Sequence, residues 1–228
     1  SEERRCKGLE HIFEFDRQDE LKNKMPLFPS PQVMDLRTLS GLKGIWKPPH
    51  YSETLQLTSN DSHHGCEAQL RNLNSVDKIT MSECEKVEEG FQLIDYNGRK
   101  YKEQFLNLRE LCFTKLSALR CIWKGPHQYL HLGKLERISL VGCDKLTTVF
   151  TAASAASLHK LRSIEITNCM ALKTIVESCS STTGDPFLSA LVTVHLEEIT
   201  LPNLQSLRLE KLPSLLCFST ASQRVICP

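Results

Sequence analysis

Apolar residues recur along this chain at fixed steps. Leu132, Leu135, Ile138, Leu140, Cys143, Leu146 and Val149 are separated by three, three, two, three, three and three residues. Leu158, Leu161, Ile164, Ile166, Cys169, Leu172 and Ile175 repeat the same steps 26 residues later. The two-residue step puts two apolar side chains on one face of an extended backbone, so each copy predicts a short strand around 138–140 or 164–166. The three-residue steps on either side suit tight turns or 3₁₀ segments. A cysteine in the fifth position is small, apolar and able to make a weak hydrogen bond inside a turn.

The same pattern extends in both directions. Cys6, Leu9 and Ile12 match its last three positions, and Phe28, Met34, Leu36, Leu39, Leu42 and Ile45 form the next copy. Then come Leu73, Val76, Ile79, Met81, Cys84 and Val87, followed by a full match in Phe105, Leu108, Leu111, Phe113, Leu116, Leu119 and Ile122. The final clear copy is Leu201, Leu204, Leu207, Leu209, Leu212, Leu215 and Phe218. Two weaker copies are expected at Leu55-x-Leu57-x-x-Asn60 and at Leu188, Leu191, Val194, Leu196 and Ile199. Period and template are those of leucine-rich repeats, L-x-x-L-x-L-x-x-N/C-x-L. The expected fold is an α/β leucine-rich-repeat solenoid of seven or eight irregular repeats. It has a curved parallel sheet on the concave side, and irregular turns and short helices on the convex side.

One repeat domain is expected over 1–228, clearest at 28–46, 73–90, 105–123, 132–150, 158–176 and 201–218, with insertions near 47–66, 95–104 and 178–186. The insertions have loop composition: Pro48-Pro49 with Ser, Asn and His, then Asn97-Gly98 among charges, then a Ser/Thr-rich run ending Gly184-Asp185-Pro186. Ala152–Leu158 is a short helix former for the convex side. Burying the seven apolar side chains of one copy does not offset the backbone entropy of ordering it. Stability must come from stacked neighbours. The start inside a copy and the absence of a polar cap at Ile226-Cys227-Pro228 lead us to expect an open-ended piece of a longer array.

Composition narrows the function classes. The 28 basic and 27 acidic residues give a net charge of +1, which argues against a general electrostatic grip on nucleic acid or acidic membrane. No apolar run approaches a membrane span. Ten cysteines in 228 residues without C-x-x-C spacing, with Cys6, Cys84, Cys143 and Cys169 at one repeat position, read as buried thiols of a reducing compartment.

Candidate chemistry is sparse. Gly133-Lys134 is followed by Leu135, which breaks a phosphate-binding loop, and neither G-x-S-x-G nor H-E-x-x-H occurs. His63, His64 and Cys66 lie close together, but no fourth ligand at usable spacing accompanies them. Asn60-Asp61-Ser62 is a glycosylation sequon, a three-residue match common by chance. Trp46 and Trp123 each follow the last template Ile and are expected to pack on the convex side. No catalytic, cofactor or metal site is expected. What remains is surface recognition by the polar residues around each strand. The concave middle column is Asp35, Thr80, Cys112, Ser139, Glu165 and Arg208, with Asp77, Lys78, Arg109, Glu110, Glu136, Arg137, Arg162, Glu210 and Lys211 on its flanks. Of these, Asp35, Thr80, Arg109, Glu136, Arg137, Ser139, Arg162, Glu165, Arg208 and Lys211 are the candidate protein-binding residues.

Four runs carry a resemblance. Ile122-Trp123-Lys124-Gly125-Pro126 is followed by L-x-K-L-x-x-I-x-L-V-G-C-D-K-L-T-T-V-F and S-A-A-S-L-H-K-L-R-S-I-E-I-T-N-C, and Leu201–Leu215 reads L-P-N-L-Q-S-L-R-L-E-K-L-P-S-L. Over most of 28–219 the chain resembles the C-terminal repeats of plant coiled-coil nucleotide-binding leucine-rich-repeat disease-resistance proteins. The resemblance implies a cytoplasmic recognition region that senses a pathogen effector or a guarded host protein. It also implies an autoinhibitory contact with an upstream nucleotide-binding domain. ADP or ATP is expected only in that upstream domain. Cysteine-type repeats also occur in F-box ubiquitin-ligase adaptors, so substrate-recognition repeats of such an adaptor are the alternative. A secreted repeat protein is a third, weaker reading.

Overall fold

The computed structural model describes residues 8–14, 32–47, 76–93, 105, 107–125, 127, 130–177, 198–220 and 224–227. In chain order its elements begin with β1 (His11–Glu14), β2 (Val33–Arg37), β3 (Gly44–Lys47), β4 (Lys78–Ser82) and β5 (Glu89–Gln92). Next are β6 (Glu110–Thr114), β7 (Cys121–Lys124), β8 (Arg137–Val141), β9 (Thr148–Thr151) and the helix α1 (Ala152–Ala155). The last are β10 (Ser163–Thr167), β11 (Thr174–Glu177), β12 (Glu198–Thr200), β13 (Ser206–Glu210), β14 (Cys217–Ser219) and β15 (Arg224–Ile226).

The strands predicted by the two-residue step assemble into one parallel sheet of order β13-β10-β8-β6-β4-β2. Each copy of the pattern adds one strand, and the fold is a leucine-rich-repeat solenoid. The register is uniform. Met34, Ile79, Leu111, Ile138, Ile164 and Leu207 form one apolar ladder, and Leu36, Met81, Phe113, Leu140, Ile166 and Leu209 form the second. Both ladders face the core, where Ile79, Met81, Leu111, Phe113, Ile138, Leu140 and Ile166 are fully buried. The weak copies at 55–60 and 188–196 lie outside the described residues, as do the expected insertions apart from Lys47. Within the described residues β2 pairs directly with β4, and β10 directly with β13. Ile199 lies in β12, which pairs with β15.

The stretch after each fifth position differs from the expected irregular turns. It turns and then forms a second short strand: β3, β5, β7, β9, β11 and β14. These pair in parallel as β5-β7 and β9-β11-β14, and β3 pairs with β1. The cause is local composition. Ile122-Trp123, Val149-Phe150 and Ile175-Val176 are consecutive β-branched or aromatic residues, all buried, and such residues favour extended backbone. The third copy shows how tightly this layer packs. Its seventh position is Gly90, and a Cβ there would lie 2.6 Å from the Ile122 carbonyl oxygen of the next repeat. Phe91 fills the space instead. It stacks on Trp123 at 5.1 Å between ring centres and meets Phe105 edge-on at 5.0 Å. Trp123 therefore packs as expected; the side chain of Trp46 lies outside the described residues.

Two further ladders tie repeats together. Backbone N–H groups of Arg109 and Glu110 both donate to the Asp77 carbonyl, those of Glu136 and Arg137 to Arg109, and those of Arg162 and Ser163 to Glu136. After each strand one residue takes the left-handed conformation: Thr38, Glu83, Lys115, Gly142, Asn168 and Lys211. The first five donate their N–H to the last strand residue of the next repeat, at 2.7 to 3.0 Å. Those bonds hold non-glycine residues where a Cβ is unfavourable. The cysteines that follow are free, buried thiols at positions 84, 143 and 169. Cys169 Sγ donates to the Leu140 carbonyl at 3.8 Å, and Cys84 Sγ to that of Ser82 at 3.4 Å. The hydrogen-bonded neighbour Cys169 and then burial push the Cys143 thiol up. Cys6 lies outside the described residues.

The helix expected over 152–158 covers only Ala152–Ala155. Thr151 caps it and exchanges hydrogen bonds with Ser154. Ser157 closes it by donating to the Ser154 carbonyl at 2.9 Å and accepting the Leu132 N–H at 3.1 Å, which fastens it to the preceding repeat.

Candidate functional site

The outer face of the front sheet is built by alternation. Residues two and four of each strand point into the core, so residues one, three and five face solvent. The third residues pair in sequence as Asp35, Thr80, Cys112, Ser139, Glu165 and Arg208. They form one continuous column across six strands. The first residues, Val33, Lys78, Glu110, Arg137, Ser163 and Ser206, make a parallel column on one side. The fifth, Arg37, Ser82, Thr114, Val141, Thr167 and Glu210, make another on the other side.

The charges on this face are largely paired with one another. Arg37 holds Asp35 at 2.8 Å. Lys78 reaches Glu110 at 2.9 Å, and Arg137 approaches the same carboxylate at 3.5 Å. Arg208 bridges Glu165 and Glu210, each at 3.0 Å, and Ser139 Oγ donates to Glu165 at 3.2 Å. Hydrogen bonds from Arg37 and Lys78 hold the Asp35 and Glu110 carboxyls below their usual range, and Arg208 does the same for Glu210. Burial pushes the half-buried Cys112 thiol up, so it stays protonated at neutral pH.

The other candidates sit at the strand entrances and exits. Arg109, Glu136 and Arg162 each precede a strand, where their carbonyls accept the paired N–H groups of the next repeat. Arg109 and Glu136 approach to 3.8 Å. Lys211 is not in the column; it occupies the left-handed turn after β13, with φ of 52°. Inspection of the sequence missed Ser82, Thr114 and Val141, which share the face, and the Lys115–Glu83 pair at 2.8 Å along its edge. The two-residue alternation carries the signal for the first three. Nothing in the sequence marks the ion pair.

Among the described residues no group of three or more His, Cys, Asp or Glu can hold a metal ion, and His63, His64 and Cys66 lie outside them. No helix in the described residues is long and apolar enough to cross a membrane. The geometry is that of a repeat solenoid with a polar, side-chain-diverse sheet face. Residues 66–170 match the family described as plant disease resistance protein RPS2-like, leucine-rich repeats. The central repeats are thus similar to those of plant disease-resistance proteins. No match is found among curated proteins or among solved structures.

Proposed function

We propose that this chain is the recognition and autoinhibitory repeat region of a plant intracellular immune receptor. It senses a pathogen effector or a host protein altered by one, and has no enzymatic activity of its own. The observation that carries the reading is the match of residues 66–170 to plant disease-resistance repeats. The outer sheet face supports it: a fixed frame presents different side chains on successive strands, which suits protein recognition. ADP or ATP belongs to an upstream nucleotide-binding domain, which this face contacts in the resting state. The match favours this reading over an F-box adaptor.

The test begins with the transcript. Reading upstream of Ser1 is expected to reveal a strand followed by G-x-x-x-x-G-K-[ST] several hundred residues earlier. An F-box-like helical module there overturns the proposal. In the complete receptor expressed in leaves, Glu165→Arg is expected to change effector-dependent cell death, and adding Arg208→Glu to restore it by re-forming the pair in reverse. A receptor indifferent to both substitutions removes the outer face from the recognition surface.

A further inference from the structure

The outer face has a neutral centre. On β4, β6 and β8 the third and fifth residues are Thr80 and Ser82, Cys112 and Thr114, and Ser139 and Val141. All six are half-buried and uncharged. Strand and residue spacings give this window about 10 by 7 Å. Charged side chains stand around it: Lys78, Glu110 and Arg137 along one side, Glu83 and Lys115 along the other, Asp35 with Arg37 at one end, Glu165 with Arg208 at the other. The framing chains are longer and mostly more exposed than the floor, so the window is a shallow cup.

We propose that this cup takes a tyrosine side chain presented by a protein partner. The framing ions already satisfy one another, so an incoming charge must break an existing pair or sit against neutral groups. That selects an uncharged occupant. The floor offers hydroxyls from Thr80, Ser82, Thr114 and Ser139 for a phenol, and a thiol and a valine for ring contact. Sulfur against an aromatic edge is favourable. A neutral centre inside a charged rim is the anatomy of a binding hot spot once a partner excludes water from it, and tyrosine supplies large contact area at low entropic cost. The inference rests on the reading of this face as a recognition surface and narrows it to one anchor.

The experiment titrates N-acetyl-tyrosinamide into the isotope-labelled 228-residue chain and follows backbone amide resonances. Saturable shifts are expected at Thr80, Ser82, Cys112, Thr114, Ser139 and Val141, falling at least fivefold in Cys112→Trp, which fills the cup. Ser139→Met narrows it from another strand and replaces Cys112→Trp if that variant unfolds. Shifts centred elsewhere, or absent, overturn the proposal. So do equal shifts in the filled variant, or larger shifts at the same residues from N-acetyl-argininamide or N-acetyl-aspartamide, which would make the ionic frame the contact. A flat tyrosine map leaves the resistance reading standing on the charged residues, and failure of that reading leaves the map unchanged.

Discussion

The repeats centred on β8 and β13 carry the same seven-position pattern, yet they are buried differently. In the first, Ile138, Leu140, Cys143 and Leu146 are all 0 % exposed. In the second, Leu207 is 48 % exposed, the adjoining Leu216 82 %, and Leu209, Leu212, Leu215 and Phe218 are only half-buried. Among the described residues the two copies differ in their neighbourhood. β8 lies between β6 and β10, whereas among the described residues β13 has a partner on one side only. From the third position to the seventh, burial therefore depends on a repeat on either side, whereas Leu201 and Leu204, at the first two positions of the same copy, stay buried. This is the nearest-neighbour behaviour expected of a quasi-one-dimensional fold.

Four perturbations test that contrast. The largest effect is expected at the fifth position. Cys143→Asp puts an unpaired carboxylate in the core and costs about 3–5 kcal/mol. The equivalent Leu212→Asp, reached by water, costs less than half as much in urea unfolding; equal losses would erase the distinction. Next comes truncation of the ladders. Leu140→Ala is expected to cost about 2–5 kcal/mol and Leu207→Ala about 1 kcal/mol or less, read from the same transitions. Gly90→Val follows at about 1–3 kcal/mol, because its Cβ meets the Ile122 carbonyl rather than a movable side chain. Thermal melts no lower than wild type would show that the second strand layer gives way. Gly142→Ala should cost about 1 kcal/mol, since φ is 68° and the nearest atom to the new Cβ is 3.6 Å away, leaving backbone strain as the cause.

The smallest effect is electrostatic. Lys78 holds the Glu110 carboxyl low, so the folded state binds that proton less readily than the unfolded chain. The associated stability is present above the unfolded carboxyl value and drains away as pH falls through the lowered folded one. Lys78→Met should be slightly less stable than wild type at pH 7, and the two should converge at the acid end. Parallel curves across that range would assign the pair no role. It is exposed, so added salt should narrow the gap.

The front sheet was legible because its signal is local and repeated. Ile138-x-Leu140 and Ile164-x-Ile166 state a strand, a face and a register at once, and Asp35, Thr80, Cys112, Ser139, Glu165 and Arg208 fall on one ladder accordingly. The second strand layer was not legible, since Val149-Phe150 is buried on consecutive residues and shows no alternation. The left-handed turn column was hidden because glycine marks it only at Gly142, while Thr38, Glu83, Lys115 and Asn168 are held there by hydrogen bonds across repeats. The ion pairs were invisible for a similar reason. Glu165 and Arg208 are 43 residues apart, and only the register makes them neighbours.

That register has a consequence for how such a chain can change. From Val33 to Lys78 is 45 residues and from Arg137 to Ser163 is 26, yet both pairs of strands meet residue for residue. The sheet does not measure the chain that links its strands. Lengthening or replacing a connection moves no side chain on the outer face to a new address, whereas deleting one residue inside a strand shifts every later position of that strand to the opposite face. Genetic drift in segment length and drift in surface chemistry can thus proceed independently, one at the loops and the other at three columns of a fixed grid.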